Sequence, residues 1–164
     1  YGEAKKNIFR QQGEVQVTPL QLANMAAAIA NDGVWITPHL NRADSLLKRR
    51  HKTNVDAAHF AAVKEGMWRV CEYGTGRWYK VPGVESAGKT GTAQNPHGKD
   101  HAIFIGFAPL ENPQIAVAVV VENAGFGATW AAPVASMMME QYLNGSVSRK
   151  DLRKRISTEV LMPQ

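Results

Sequence analysis

Apolar residues recur first at helical spacing, then in continuous β-branched runs, and finally at helical spacing again. Residues 1–17 are of mixed polarity, with a short extended piece expected at Glu14–Val17. A helix start follows. Thr18 can cap the backbone, Pro19 suits the first helical position, and Gln21 completes a capping-box pattern. Leu20–Ala30 is alanine-rich and apolar on most sides, which predicts a buried helix that ends at Asn31-Asp32-Gly33. Val34–Ile36 predicts a short strand, and the polar, basic stretch 41–55 an exposed connection. A second helix is expected over 56–72, with Phe60, Val63, Met67 and Val70 as its apolar face. Gly74-Thr75-Gly76 breaks that pattern and reads as a turn, since a phosphate loop would need a lysine and a following helix.

From Glu85 onward the period changes. Ser86–Ala93 predicts a strand with small polar residues, and Asn95-Pro96-His97-Gly98 a turn. Ile103–Ala108 and Ile115–Val121 are apolar runs separated by 109–114, as in an antiparallel pair buried on both faces. A last helix is expected over Trp130–Leu143, with Val134, Met138 and Tyr142 on one face and Asn144-Gly145 at its end. The charged tail 146–164 is expected to be a frayed helix or disordered. Together these predict an α+β (α/β) fold in which an antiparallel sheet is covered by helices on both faces. The expected organisation is part of one domain over 1–164, with its core at about 13–143.

Composition narrows the function classes. At 164 residues there is room for one sizeable core. No apolar run has membrane-spanning length and no secretory signal is visible. The single cysteine, Cys71, excludes an internal disulfide framework and sits in an apolar stretch expected in the core. The charge of +5 comes largely from 48–52 and from Arg149, Lys150, Arg153, Lys154 and Arg155. No aromatic residues interleave with these charges, so nucleic acid is not the expected partner.

Lys89-Thr90-Gly91-Thr92 is the stretch whose chemistry stands out. Alternation on a strand sends Thr90 and Thr92 one way and Lys89 and Gly91 the other. An open strand edge can pair with an extended peptide, and Gly91 leaves room for a ligand backbone. Two hydroxyls and an ammonium suit a carboxylate, and one backbone N–H can serve as an oxyanion donor.

Lys-Thr-Gly is also one of the signatures of penicillin-binding proteins and serine β-lactamases. Three segments carry the resemblance further: GEVQVTPLQLANMAAAIANDG (13–33), AGKTGTAQNPHGKDHAIFIGFAP (87–109) and IAVAVVVENAG (115–125). In these the chain resembles the C-terminal part of class B penicillin-binding protein transpeptidases, most closely the elongation-type members often called penicillin-binding protein 2. The resemblance implies that Lys89 tunes proton transfer and that Thr90 and Thr92 bind the carboxylate of a D-Ala-D-Ala stem or a β-lactam. It implies an oxyanion donor in the Thr92 backbone N–H, a packing role for Gly88, and an edge strand paired with 103–108, itself paired with 115–121. It implies no metal or organic cofactor, a periplasmic catalytic domain held at the cytoplasmic membrane, and a shape-system glycosyltransferase partner. Asp100 and His101 are expected to line the groove beside the edge.

Acyl transfer in this family needs a serine in Ser-x-x-Lys. Ser45-Leu46-Leu47-Lys48 lies in a basic connection, and Ser86 runs into the Lys89 strand on the opposite face from the lysine. The nucleophile and the Ser-x-Asn motif are therefore expected upstream of Tyr1, and the third strand is expected to show an unpaired apolar edge. Arg10-Gln11-Gln12-Gly13 stands where the family has Gly-Gln-Gly. His97, Asp100 and His101 mimic an inverted zincin pattern, but Pro96 and Gly98 argue against the helix it requires. Trp130 and Phe126 are candidates to contact a peptide stem, with core packing the favoured reading, and the Gly74-Thr75-Gly76 turn is expected near the groove with no role assigned. The competing readings are a β-lactamase or penicillin-sensing domain of the same fold, and a non-catalytic peptide-binding module.

Overall fold

A computed structural model describes residues 9–10, 16–39 and 50–158. The expectations for 11–13, Ser45 and Lys48 concern positions outside these residues. Two short strands, β1 (Phe9–Arg10) and β2 (Gln16–Val17), pair antiparallel ahead of the first helix. Helix α1 (Pro19–Ala30) forms as its sequence dictates: the Thr18 hydroxyl accepts from the Gln21 N–H while the Gln21 side chain accepts from the Thr18 N–H. Gly33 then turns the chain at φ +86°, where a side chain would also strike Thr53 and the Phe60 ring.

Strand β3 (Val34–Ile36) pairs with β4 (Arg50–Lys52), so part of the basic stretch read as an exposed connection is a strand. Cross-strand stacking explains it, since Trp35 and His51 lie with ring centroids 4.1 Å apart. Helix α2 (Ala57–Glu72) is capped by Asp56, whose carboxylate accepts from Ala58 N–H at 2.8 Å. Its expected apolar face is shifted. Met67 and Cys71 are buried while Val63 is exposed.

The central sheet comprises β5 (Ala87–Ala93), β6 (His101–Ala108) and β7 (Ile115–Val121), all antiparallel in the order β5-β6-β7. The register sets Lys89 opposite Ile105 and Gly91 opposite Ile103, with Ile105 in turn opposite Ala118. On one face α1 covers β6 and β7, and α2 brings Met67 against Ala87 and Phe107. On the other face α3 (Ala131–Asn144) packs Ala131, Ala132, Ala135 and Met139 over Ala102, Phe104, Val117 and Val119. Small residues let helix and sheet approach closely. Of the row Val134, Met138, Tyr142 expected on one face, Val134 packs against this core while Met138 and Tyr142 are exposed.

The tail expected to fray is helix α4 (Lys150–Thr158). It is tied to α3 by Glu140, which is 1 % exposed and accepts from Ser148 N (2.8 Å), Ser148 Oγ (2.6 Å) and Arg149 Nε (2.9 Å). Burial pushes the Glu140 carboxyl up, but the Ser148 bonds and the Arg149 bond and charge outweigh it, leaving the group below its ordinary value. Ile156 completes the anchor by packing on the core.

Candidate active site

Strand β5 owes its small residues to two different demands. At Gly88 a Cβ would lie 2.2 Å from the Phe104 ring and 2.9 Å from the Ile105 carbonyl, so packing alone requires glycine. At Gly91 the nearest atoms to a Cβ are those of Ile103, at 3.4 and 3.7 Å, and φ is not positive. The chain itself has room for a side chain there. Gly127 is pressed onto the other face of the same Gly91–Ile103 pair, where a Cβ would come within 2.3 Å of both carbonyl oxygens.

Among the described residues β5 pairs only with β6, which leaves its outer edge open over Lys89–Thr92. Lys89 and Thr92 are exposed, Thr90 and Gly91 half-buried. The Lys89 ammonium donates to the Thr90 carbonyl at 2.7 Å and so lies along the edge. All four residues line a cavity of about 410 Å³ whose apolar wall is Leu22 and Met25 of α1 with Ile103 and Ile105 of β6. An open backbone edge, hydroxyls and a cation thus meet above an apolar floor. That combination suits an extended peptide with a terminal carboxylate.

Asp100 and His101 stand apart from this lining, at the end of the β5–β6 turn. Asp100 Oδ1 accepts from Asn95 N at 3.2 Å and its carbonyl from Gly125 N at 2.7 Å. His101 Nδ1 accepts from Asn123 N at 3.0 Å, and the Asn95 and Asn123 side chains meet at 2.6 Å. They lash the β5–β6 turn to the loop before α3. His97 lies in that turn and His101 on a strand, so the one-helix spacing of a zincin does not arise; among the described residues no three metal-ligating side chains converge.

Ser86 is 4 % exposed at the start of β5. Its hydroxyl bonds the buried Cys71 thiol, which burial nevertheless pushes up to about 11. Trp130 is buried as expected. Phe126 is not: it is 73 % exposed in the loop after β7. The Gly74–Gly76 turn, expected near the groove with no role assigned, carries Thr75, whose partner sequence reading missed. Its hydroxyl lies 2.8 Å from that of Thr90, which places the Gly74–Gly76 turn beside the edge. The signal was the turn itself, two glycines flanking a hydroxyl ahead of the Lys89 strand, with nothing to name Thr90 as its partner. The buried helix expected over Leu20–Ala30 also lines the cavity, where Leu22 is buried but Met25 is 46 % exposed.

Residues 2–140 match the model of the penicillin binding protein transpeptidase domain. The chain belongs to this family. It is 38% identical over 161 residues to the peptidoglycan D,D-transpeptidase MrdA of Haemophilus influenzae, covering 81% of this chain and 25% of that protein. With the peptidoglycan D,D-transpeptidase PbpA of Mycobacterium tuberculosis it shares 34% identity over 82% of this chain and 31% of that one. Among solved structures it is similar to Pseudomonas aeruginosa PBP2 in complex with WCK 5153, at TM-score 0.73, 40% identity, 85% of this chain and 33% of that one. The imipenem acyl-enzyme complex of penicillin-binding protein A from M. tuberculosis gives TM-score 0.67 and 34% identity over 80% of this chain and 32% of that one. The chain thus spans a quarter to a third of the length of these relatives. The likeness extends to proteins named MrdA and PBP2 within the family, and the three-stranded sheet with helices on both faces is the family's architecture in part.

Proposed function

We propose that this chain supplies one wall of the active site of a peptidoglycan D,D-transpeptidase of the elongation type. The observation that carries the reading is the open Lys89–Thr92 edge above an apolar cavity, with a glycine at 91 that packing does not require. A serine contributed by another part of the same domain attacks the penultimate D-Ala carbonyl of a stem pentapeptide. The serine proton passes to a neighbouring base, the bond to the terminal D-Ala breaks, and D-Ala leaves as the protonated amine. A neighbouring stem's amine then attacks the acyl-enzyme and frees the serine.

Within that cycle the Thr90 and Thr92 hydroxyls bind the terminal carboxylate, and the Lys89 ammonium supplies positive potential and tunes proton transfer. The Thr92 backbone N–H donates to the oxyanion, and Gly91 keeps the edge clear for the substrate backbone. Asp100 and His101 support the groove by holding the turn that follows the edge. The same groove takes β-lactams as carboxylate-bearing mimics. The enzyme works on the periplasmic face of the cytoplasmic membrane, beside a glycosyltransferase of the shape-determining system. Ser86 does not serve as nucleophile, because it is buried against Cys71.

Labelled penicillin tests this. The full-length protein is expected to form a stable covalent adduct, and Lys89→Ala to slow acylation roughly a hundredfold or more. A full-length protein that takes up no label rejects the reading. The 164-residue chain alone should stay unlabelled. An adduct on Ser45 or Ser86 would overturn the placement of the nucleophile.

A further inference from the structure

The Gly74–Gly76 turn is built more tightly than a surface connection requires. Gly74 N and Gly76 N donate to the Arg69 and Val70 carbonyls at 3.0 Å each, so the turn is wound onto the last carbonyls of α2. A Cβ at Gly74 would lie 2.9 Å from Val70 Cα, which holds the turn flat against the helix. The 3-10 turn that follows is pinned from the other side, where the Arg155 guanidinium reaches the Tyr79 hydroxyl at 3.3 Å and lies 5.7 Å from its ring. Between these anchors Thr75 is exposed, yet its hydroxyl meets Thr90 Oγ1 at 2.8 Å.

We propose that Thr75 is a positioning residue that fixes the Thr90 hydroxyl as a donor to the carboxylate of the incoming peptide or β-lactam. This inference rests on the reading of Thr90 as a carboxylate-binding residue. A hydroxyl has one proton, and a carboxylate can only accept. When a carboxylate arrives, the Thr90 proton must point to it, which leaves the Thr90 lone pairs free. The only orientation of the pair that then keeps a hydrogen bond has Thr75 donating to Thr90. Donation to a hydroxyl that is itself donating polarises it, so the bond to the anion strengthens. The Thr75 contact also fixes the Thr90 rotamer before the ligand arrives, which removes an ordering cost from binding. An exposed threonine on a firmly held turn is thereby part of the groove without touching substrate.

The test is the acylation rate of the full-length protein by a β-lactam acid and by the methyl ester of the same compound. Thr75→Val is expected to slow acylation by the acid roughly three- to tenfold, the worth of one hydrogen bond. The ester should react equally with both proteins, and Thr75→Ser should restore most of the acid's rate. A merely structural role would slow acid and ester alike, and that outcome overturns the inference. Thr90→Val separates this inference from the reading beneath it. If Thr90→Val slows the acid selectively while Thr75→Val does not, Thr75 has no such role. If neither variant distinguishes acid from ester, Thr90 does not bind the carboxylate and both fail.

Discussion

At the scale of single residues, the glycines of β5 separate packing from function. Gly88 fills a place already taken by the Phe104 ring and the Ile105 carbonyl. Gly88→Ala must displace both and is expected to cost about 1–3 kcal/mol, read as a lower midpoint in denaturant. Gly91→Ala meets only Ile103 at ordinary contact distance. Its stability should stay within about 0.5 kcal/mol of the parent. In the full-length protein it should nevertheless slow acylation by penicillin, because the methyl group intrudes on the groove wall. Equal losses of stability at both positions would mean that Gly91 is structural. The sequence could not make this distinction, because both glycines occur in one small-residue strand and the difference lies in what β6 presents opposite each. The same limit hid Thr75: a turn is legible from its glycines, but not the hydroxyl 15 residues further on that it meets.

At the scale of elements, local signals were legible and the choice of face was not. The Thr18–Gln21 capping box, the Gly33 reversal and the β-branched runs of β6 and β7 each act through neighbours in sequence, and each appears where its residues dictate. The buried side of α3 depends on the sheet. Alanines and Ser136 face it, while the larger Met138 and Tyr142 row faces out. Helix α4 looked like a solvated tail because its composition is basic, and what orders it is a single buried acid on another helix. Glu140→Gln removes the charge that Arg149 pairs with at 2.8 Å, and breaking such a pair costs about 3 kcal/mol. Faster hydrogen exchange over 146–158 with slower change in the sheet would show α4 undocking. The sign of the pH effect follows from the depressed Glu140 carboxyl. Its contribution is fully present above the ordinary carboxylate pKa and is lost as pH falls through the lower folded-state value. In Glu140→Gln that acid-side loss should be smaller, and an unchanged acid limb would mean that Glu140 does not anchor the tail.

At the scale of the whole molecule, the sheet has two open edges of different character. The β5 edge is short, polar and set over the cavity, as a peptide-binding edge should be. The β7 edge is apolar along Ile115–Val121, and among the described residues β7 pairs only with β6. Helices α1 and α3 pack against its faces, and among the described residues no strand pairs with its outer edge. Its Val117 and Val119 are buried, but Ala116, Ala118, Val120 and Val121 are only half-buried, in contrast with β6, which is buried almost throughout. An unblunted edge of this kind templates pairing with another strand, since no proline, lysine or bulge interrupts it. The 164-residue chain in isolation is therefore expected to self-associate through β7, with a sedimentation coefficient that rises with protein concentration. Lysine at position 120, in Val120→Lys, would place a charge on that strand and should shift the distribution toward monomer while leaving α-helical circular dichroism unchanged. A chain that stays monomeric across the concentration series, with and without the lysine, would show that β7 is already covered. Self-association that Val120→Lys does not weaken would place the contact elsewhere. Self-association lost on Val120→Lys would assign the contact to the β7 edge, opposite the β5 edge proposed to bind peptide.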